Sequence, residues 1–160
     1  MSQNVIMDAQ NAVYGSLAEC FITIGDRRYN FMSLKDFESK WEVNIKEVPI
    51  LGKVGTGHKP AGGKGTWSGT AHYNQSVFRE MANQYQKTGE MPYFEIQVSN
   101  EDPSSATGRQ TIVHRGCLCD KFTLAKFQAG EDLLEEELSG TFDSWDMPEK
   151  FKEMDGFITN

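Results

Sequence analysis

The stretch Asp36–Glu47, DFESKWEVNIKE, decides how this chain is read. Phe37, Trp41, Val43 and Ile45 take odd positions, and Glu38, Lys40, Glu42, Asn44 and Lys46 take even ones. Successive side chains of a strand point to opposite faces, so this segment has one dry face and one charged face. A helix, at about 3.6 residues per turn, would scatter those apolar residues around its circumference. At the usual rise the strand spans roughly 40 Å, long for a small domain. Such a strand suits a closed barrel with a wet interior, shared among several chains.

Working outward, period-two alternation recurs. Gly65–Tyr73 sets Trp67, Gly69, Ala71 and Tyr73 against Thr66, Ser68, Thr70 and His72. Leu17–Ile24 is apolar at most positions, which predicts a strand buried on both faces. Gly25-Asp26 then offers a turn into Tyr29–Met32. Tyr93–Ser99, Thr111–Cys119, Lys121–Gln128 and Leu138–Trp145 complete the expected strands. One segment is helical, Ser76–Thr88. Val77, Met81 and Tyr85, with Phe78 and Ala82, make one apolar stripe. Ser76 is the expected N-cap, Lys87 complements the dipole in the last turn, and Gly89 supplies the left-handed stop. The expected fold is mainly β, a β-sandwich or rolled sheet with one flanking helix.

At 160 residues the chain is read as a single domain, 1–160. A domain of this size buries roughly 70% of its unfolded surface and needs no disulfide or metal staple. Sixteen Lys and Arg against 23 Asp and Glu give a net charge of −7, which argues against gripping phosphate. Residues 1–9 and 150–160 read as frayed. The N-terminal residues lack the basic and apolar segments of a secretory signal, and no apolar run approaches the roughly 20 residues that span a bilayer. No membrane anchoring is expected.

Two connections stand out. Residues 49–64, PILGKVGTGHKPAGGK, read as a long Gly/Lys-rich loop, and long structureless connections are usually functional. Residues 100–108, NEDPSSATG, read as an ordinary polar surface loop.

Catalytic chemistry finds little support. A phosphate-binding loop begun at Gly57 reaches Gly62 in register, but Gly63 stands where lysine is required, and Lys64, one place late, is followed by Gly65 and not by Ser or Thr. His58, His72 and His114 fall in no catalytic motif, and no GxSxG elbow is present. Cys117 and Cys119 fit neither a zinc knuckle nor a CxxC redox pair, so with Cys20 they read as buried free thiols. The run Glu131, Asp132, Glu135, Glu136 and Glu137 does not match an EF-hand and reads as a solvated acidic surface. No catalytic residue, metal or cofactor is expected.

A resemblance then gives direction. Leu51–Tyr73, LGKVGTGHKPAGGKGTWSGTAHY, resembles the central hairpin of the tail-tube proteins of PBSX-like contractile prophages. Gly57, His58, Lys59, Gly62, Gly65, Thr66, Thr70 and Tyr73 carry the likeness. Asp132–Phe151, DLLEEELSGTFDSWDMPEKF, resembles that family's ending, and the helix followed by Pro92–Phe94 falls in the expected order. The resemblance spans about Ala9 to Phe151.

The resemblance implies two packed antiparallel sheets with a flanking helix, as in type VI secretion tube proteins. It also implies a structural part of a virion tail. Hexameric rings of this chain would stack into the inner tube, alongside tail sheath, baseplate and tail-terminator proteins, with DNA as transient cargo. On that reading Lys53, Gly55, Gly57, His58, Lys59, Gly62, Gly63 and Lys64 form an inter-subunit loop, mobile until a neighbour orders it. The channel face is assigned to Asp36, Glu38, Lys40, Glu42, Asn44 and Lys46, with Thr66, Ser68, Thr70 and His72 from the partner strand. Alternatives of other classes are a type VI secretion-like tube, a ligand-binding β-sandwich and an unrecognised hydrolase.

Overall fold

The structure is a computed structural model and describes residues 6–130 and 133–158. A long antiparallel hairpin dominates it, β3 (Leu34–Val48) paired with β4 (Gly57–His72). Around it run β1 (Ala18–Ile24), β2 (Arg27–Asn30), β5 (Phe94–Glu101), β6 (Arg109–Lys121), β7 (Glu135–Phe142) and β8 (Ser144–Glu149), with helix α1 (Val77–Thr88) between β4 and β5. Every pairing is antiparallel, in the order β2-β1-β5-β6-β7-β4-β3.

Strand β6 joins the two halves of this sheet. One edge pairs with β5; the other pairs with β8 over its first part and β7 over its last. The change of partner falls at Gly116, whose φ of 68° is open to glycine, and there Asp143 N donates to Arg115 O. Leu138–Trp145 is therefore two strands, not one. A chain turning at Asp143 satisfies two separate stretches of the β6 edge.

The sheet folds over a core of Cys20, Ile22, Trp67, Phe94, Ile96, Cys117, Leu138 and Phe142. Trp67 stands edge-on to Phe94, with centroids 6.1 Å apart, and its indole donates to Leu118 O. Helix α1 closes one end: Phe78 meets Phe31, Trp67 and Phe94, and Met81 is buried beside them. Each fully buried large side chain contributes about 1.5–3 kcal/mol. The helix stops at Gly89, φ 76°, whose N–H returns to Tyr85 O. At its start Gln75 Oε1, and not the Ser76 hydroxyl, accepts from Val77 N at 2.9 Å.

Four further expectations are corrected. The connection between β3 and β4 is residues 49–56, not 49–64, because Gly57 through Lys64 belong to β4. The backbone ladder with β3 satisfies their peptide groups, so they need no apolar side chains to be strand. Residues 122–128 are not strand: Arg79 donates to Thr123 O, Tyr73 to Leu124 O, and Lys126 to Glu135 O, which ties this segment down as a loop. Strand β1 is inward only at Cys20 and Ile22, while Phe21 lies under the Arg28 guanidinium on the opposite face. Glu136 is 3% exposed rather than solvated; it accepts from Arg79 at 2.5 Å and from Gln75 at 2.7 Å. A carboxylate so buried is tolerable because it is paired. Glu131 and Asp132 of the same run, and residues 1–5 and 159–160 of the expected frayed ends, lie outside the described residues.

Candidate assembly interface

The hairpin presents two different faces. On the polar one, Asp36 stands opposite Thr70, Glu38 opposite Ser68, Lys40 opposite Thr66, and Glu42 opposite Lys64. Strand β7 extends it, setting Glu137, Ser139 and Thr141 beside Thr70, Ser68 and Thr66. His72 pairs with Glu135, which also takes Lys35 at 2.7 Å; that lysine holds the Glu135 carboxyl below its usual range. Lys40 reaches Glu38 at 3.3 Å and Lys64 reaches Glu42 at 3.8 Å. Eight of the residues assigned from sequence to this face thus meet in one patch.

Asn44 and Lys46 stand apart from it. The ladder steps from Val43 opposite Gly63 to Ile45 opposite Pro60, leaving Ala61 and Gly62 against Asn44 alone. This is a β-bulge, and Gly62, at φ 88°, takes the left-handed conformation it requires. Beyond the bulge Lys46 lies directly opposite Lys59, and Glu47 opposite His58. Like charges directly opposite each other destabilise a ladder. Among the described residues, Lys46, Lys53 and Lys59 make no ion pair.

The other face is apolar and largely uncovered. Trp41, Val43 and Ile45 are 41%, 49% and 57% exposed, and Leu51 and Val54 at the turn are fully exposed. The predicted dry side is dry at Phe37, which packs on Trp67 and His114, but bare from Trp41 onward. The hairpin has outrun the core that would cover it. Beside it a groove of about 410 Å³ is lined by Phe37, Trp41, Val98, Ile112, Phe142 and Trp145. Among the described residues strand β3 pairs with β4 alone, so its outer edge is unpaired there. Of the residues assigned to an inter-subunit loop, Lys53 and Gly55 lie in the turn, while Gly57, His58, Lys59, Gly62, Gly63 and Lys64 lie in β4.

Sequence reasoning missed His114. It is 1% exposed, and burial lowers its pKa. Period-two reading could not find it, because the bend at Gly116 shifts which residues of β6 face inward. Burial pushes the Cys20 and Cys117 thiols up to about 12 and Cys119 to about 11. Among the described residues no three His, Cys, Asp or Glu side chains gather as a metal site, and no helix is long and apolar enough to cross a membrane.

Among the described residues the fold is a rolled antiparallel sheet with an unpaired edge, a projecting two-faced hairpin and an uncovered apolar strip. The chain belongs to the phage tail tube protein family, which matches residues 5–149. It is 32% identical over 147 residues to phage-like element PBSX protein XkdM of Bacillus subtilis (strain 168), covering 92% of this chain and 97% of that one. The uncharacterized protein YqbM of the same strain is also 32% identical, over 91% of this chain and 97% of its own. The fold is shared with a chain of the extended sheath-tube complex of the PVC extracellular contractile injection system, at TM-score 0.61, 13% identity, and 80% and 86% coverage. It is shared too with a chain of the six-fold symmetrised anti-feeding prophage baseplate, at TM-score 0.59, 11% identity, and 92% and 97% coverage. The chain is thus a structural component of a phage-type tail.

Proposed function

We propose that this chain closes into hexameric rings that stack as the inner tube of a contractile tail, with a channel that conducts DNA. The observation that carries this reading is the outer edge of β3, unpaired along a 15-residue strand whose Trp41, Val43 and Ile45 lie uncovered. A long free edge with apolar side chains invites uncontrolled pairing unless a second copy closes it. The six-fold symmetry described for the anti-feeding prophage baseplate is the motive for rings of six. Sheath, baseplate and tube-terminator proteins are the proposed neighbours, after the assemblies that hold chains of this fold.

The polar face of the hairpin is the proposed channel wall. Asp36, Glu38 and Glu42 outnumber Lys40 and Lys64, and Thr66, Ser68, Thr70 and His72 complete the surface. Clustered lysines would hold phosphates through counterion release and stall a passing genome; a weakly negative, hydroxyl-rich wall lets it slide. The bare turn and the Lys46–Lys59 pair are the proposed contact with the next subunit or ring, whose carboxylates would relieve the repulsion.

Negative-stain microscopy of concentrated protein tests the proposal. Rings or tubes are expected. Monomers alone, at every concentration and salt examined, would overturn it.

A further inference from the structure

The loop between β5 and β6, read from sequence as ordinary surface, is a built polar cluster. Asp102, Ser105 and Thr107 are all buried. It clasps the segment that precedes β1. Asp102 Oδ2 accepts from Tyr14 N at 3.0 Å, while Oδ1 accepts from Ser104 N at 3.0 Å and from Ser104 Oγ at 2.7 Å. Asn11 is held at both its oxygens: Ala106 N donates to Oδ1 at 2.9 Å, and Ser105 Oγ donates to its carbonyl at 3.0 Å. With that proton committed to Asn11, the Thr107 hydroxyl donates to Ser105 Oγ at 2.7 Å. On the far side Lys152 N donates to Thr107 O at 2.6 Å, so the same loop holds the segment after β8.

The clasped segment has little else to hold it. Ile6, Met7, Tyr14 and Leu17 are exposed, so it buries little apolar surface. Among its described residues the only regular structure is the single 3-10 turn Ala9–Asn11. Val13 is half-buried, but a segment with so little apolar anchorage is held chiefly by its hydrogen bonds, and those to a charged acceptor are the strong ones.

We propose that the loop between β5 and β6 is a polar latch, and that residues 8–14 dock on it and leave it as one unit under the control of the Asp102 carboxylate. Three donors on one carboxylate hold Asp102 ionised below the usual Asp range. Loss of that acceptor strands Tyr14 N–H and frees the Asp102–Ser105 turn that aims Ser105 and Ala106 at Asn11. The latch is testable on the isolated chain.

The experiment is amide hydrogen exchange by NMR on the full chain, comparing wild type with Asp102→Ala and Asn11→Ala. Tyr14 and Ser104 lose protection in Asp102→Ala as a direct effect. The deciding amide is Ala106, whose acceptor is Asn11 and not Asp102. It should exchange at least about tenfold faster, as expected when a hydrogen bond to a charged group is lost. Ile22 and Ile96 in the core should not change. Conversely, Asn11→Ala, which leaves the sheet untouched, should speed exchange at Tyr14 by a similar factor. Unchanged Ala106 protection in Asp102→Ala, or unchanged Tyr14 protection in Asn11→Ala, would show independent contacts and overturn the latch.

Discussion

The imidazole of His114 on β6 reaches across the fold to Ser39 on β3, Nε2 to Oγ 2.8 Å. Its other nitrogen lies 2.9 Å from Ile96 O on β5. A carbonyl can only accept, so Nδ1 carries the proton and neutral Nε2 accepts from the serine hydroxyl. The rings of Phe37 and Phe142 stand edge-on to it at 5.6 and 4.9 Å. One neutral histidine thus ties the base of the projecting hairpin to the two strands behind it.

Stability should therefore fall as solutions are acidified. Burial lowers the pKa of His114 in the folded chain, and the hydrogen bond to Ile96 opposes that only in part. The unfolded chain then binds the extra proton first. Its contribution is fully present above the unfolded value of about 6.5 and is lost as pH falls toward the folded value. Urea midpoints should drop between about pH 7.5 and about pH 5, and His114→Gln should flatten that slope. His114→Leu, which removes the imidazole donor to Ile96 O, should cost about 1–3 kcal/mol at neutral pH. An identical pH slope in His114→Gln and wild type would contradict this.

Gly65 should resist substitution for a steric reason. A Cβ at this position would overlap the ring of Phe142. Its φ lies outside the left-handed region, so space alone is at issue. Gly65→Ala should cost about 1–3 kcal/mol through overpacking. Gly65→Ala combined with Phe142→Ala should cost less than the two changes added, because removing the ring removes the clash. Strict additivity in urea unfolding would deny the contact.

These two residues also show what the sequence could reveal. Alternation read correctly along β4 because Trp67 and Ala71 face inward while Thr66 and Ser68 face out. Gly63 and Gly65 mark where the rings of Trp41 and Phe142 press on the backbone, and this was legible only as spacing. Gly57–Lys64 escaped because its strand state comes from the ladder with β3 and not from burial, and apolar patterning detects only burial. Glu136 escaped because its partner Arg79 is 57 residues away in the chain, and local charge patterning does not see so distant a pair. The polar hairpin face was readable as a set through period two, except beyond the bulge at Asn44. No local composition announces that irregularity apart from Gly62.

Substitutions on the bare apolar strip should separate folding from assembly. Ile45 is more than half exposed, so Ile45→Glu should change the stability of the isolated subunit by no more than about 0.5 kcal/mol. It should abolish association nonetheless, since a charge would have to be buried against the next copy. Lys59→Glu relieves the clash with Lys46 and should stabilise the isolated subunit by about 0.2–1 kcal/mol. If a neighbour's carboxylates normally meet that pair, the same change weakens assembly. Thermal unfolding and sedimentation velocity read the two effects apart. Normal tubes from Ile45→Glu would remove this strip from the interface.

Thiol labelling can decide whether the polar face lines the channel. The native cysteines will not interfere. All three are buried, and burial pushes Cys20 and Cys117 to about 12 and Cys119 to about 11, so almost no thiolate forms near neutrality. Glu38→Cys and Glu42→Cys place single reactive thiols on the polar face, opposite Ser68 and Lys64. Both side chains are about two-thirds exposed, so the isolated subunit should react quickly with any maleimide. In assembled tubes a small maleimide should still react quickly, because it diffuses in from the ends. A bulky polymer-linked maleimide should react slowly, because the wall excludes it. Fast labelling by the bulky reagent in intact tubes would put this face outside. The weakly negative surface of Asp36, Glu38, Glu42, Lys40 and Lys64 would then meet solvent or the sheath, and the channel wall would have to be sought on another face of the fold.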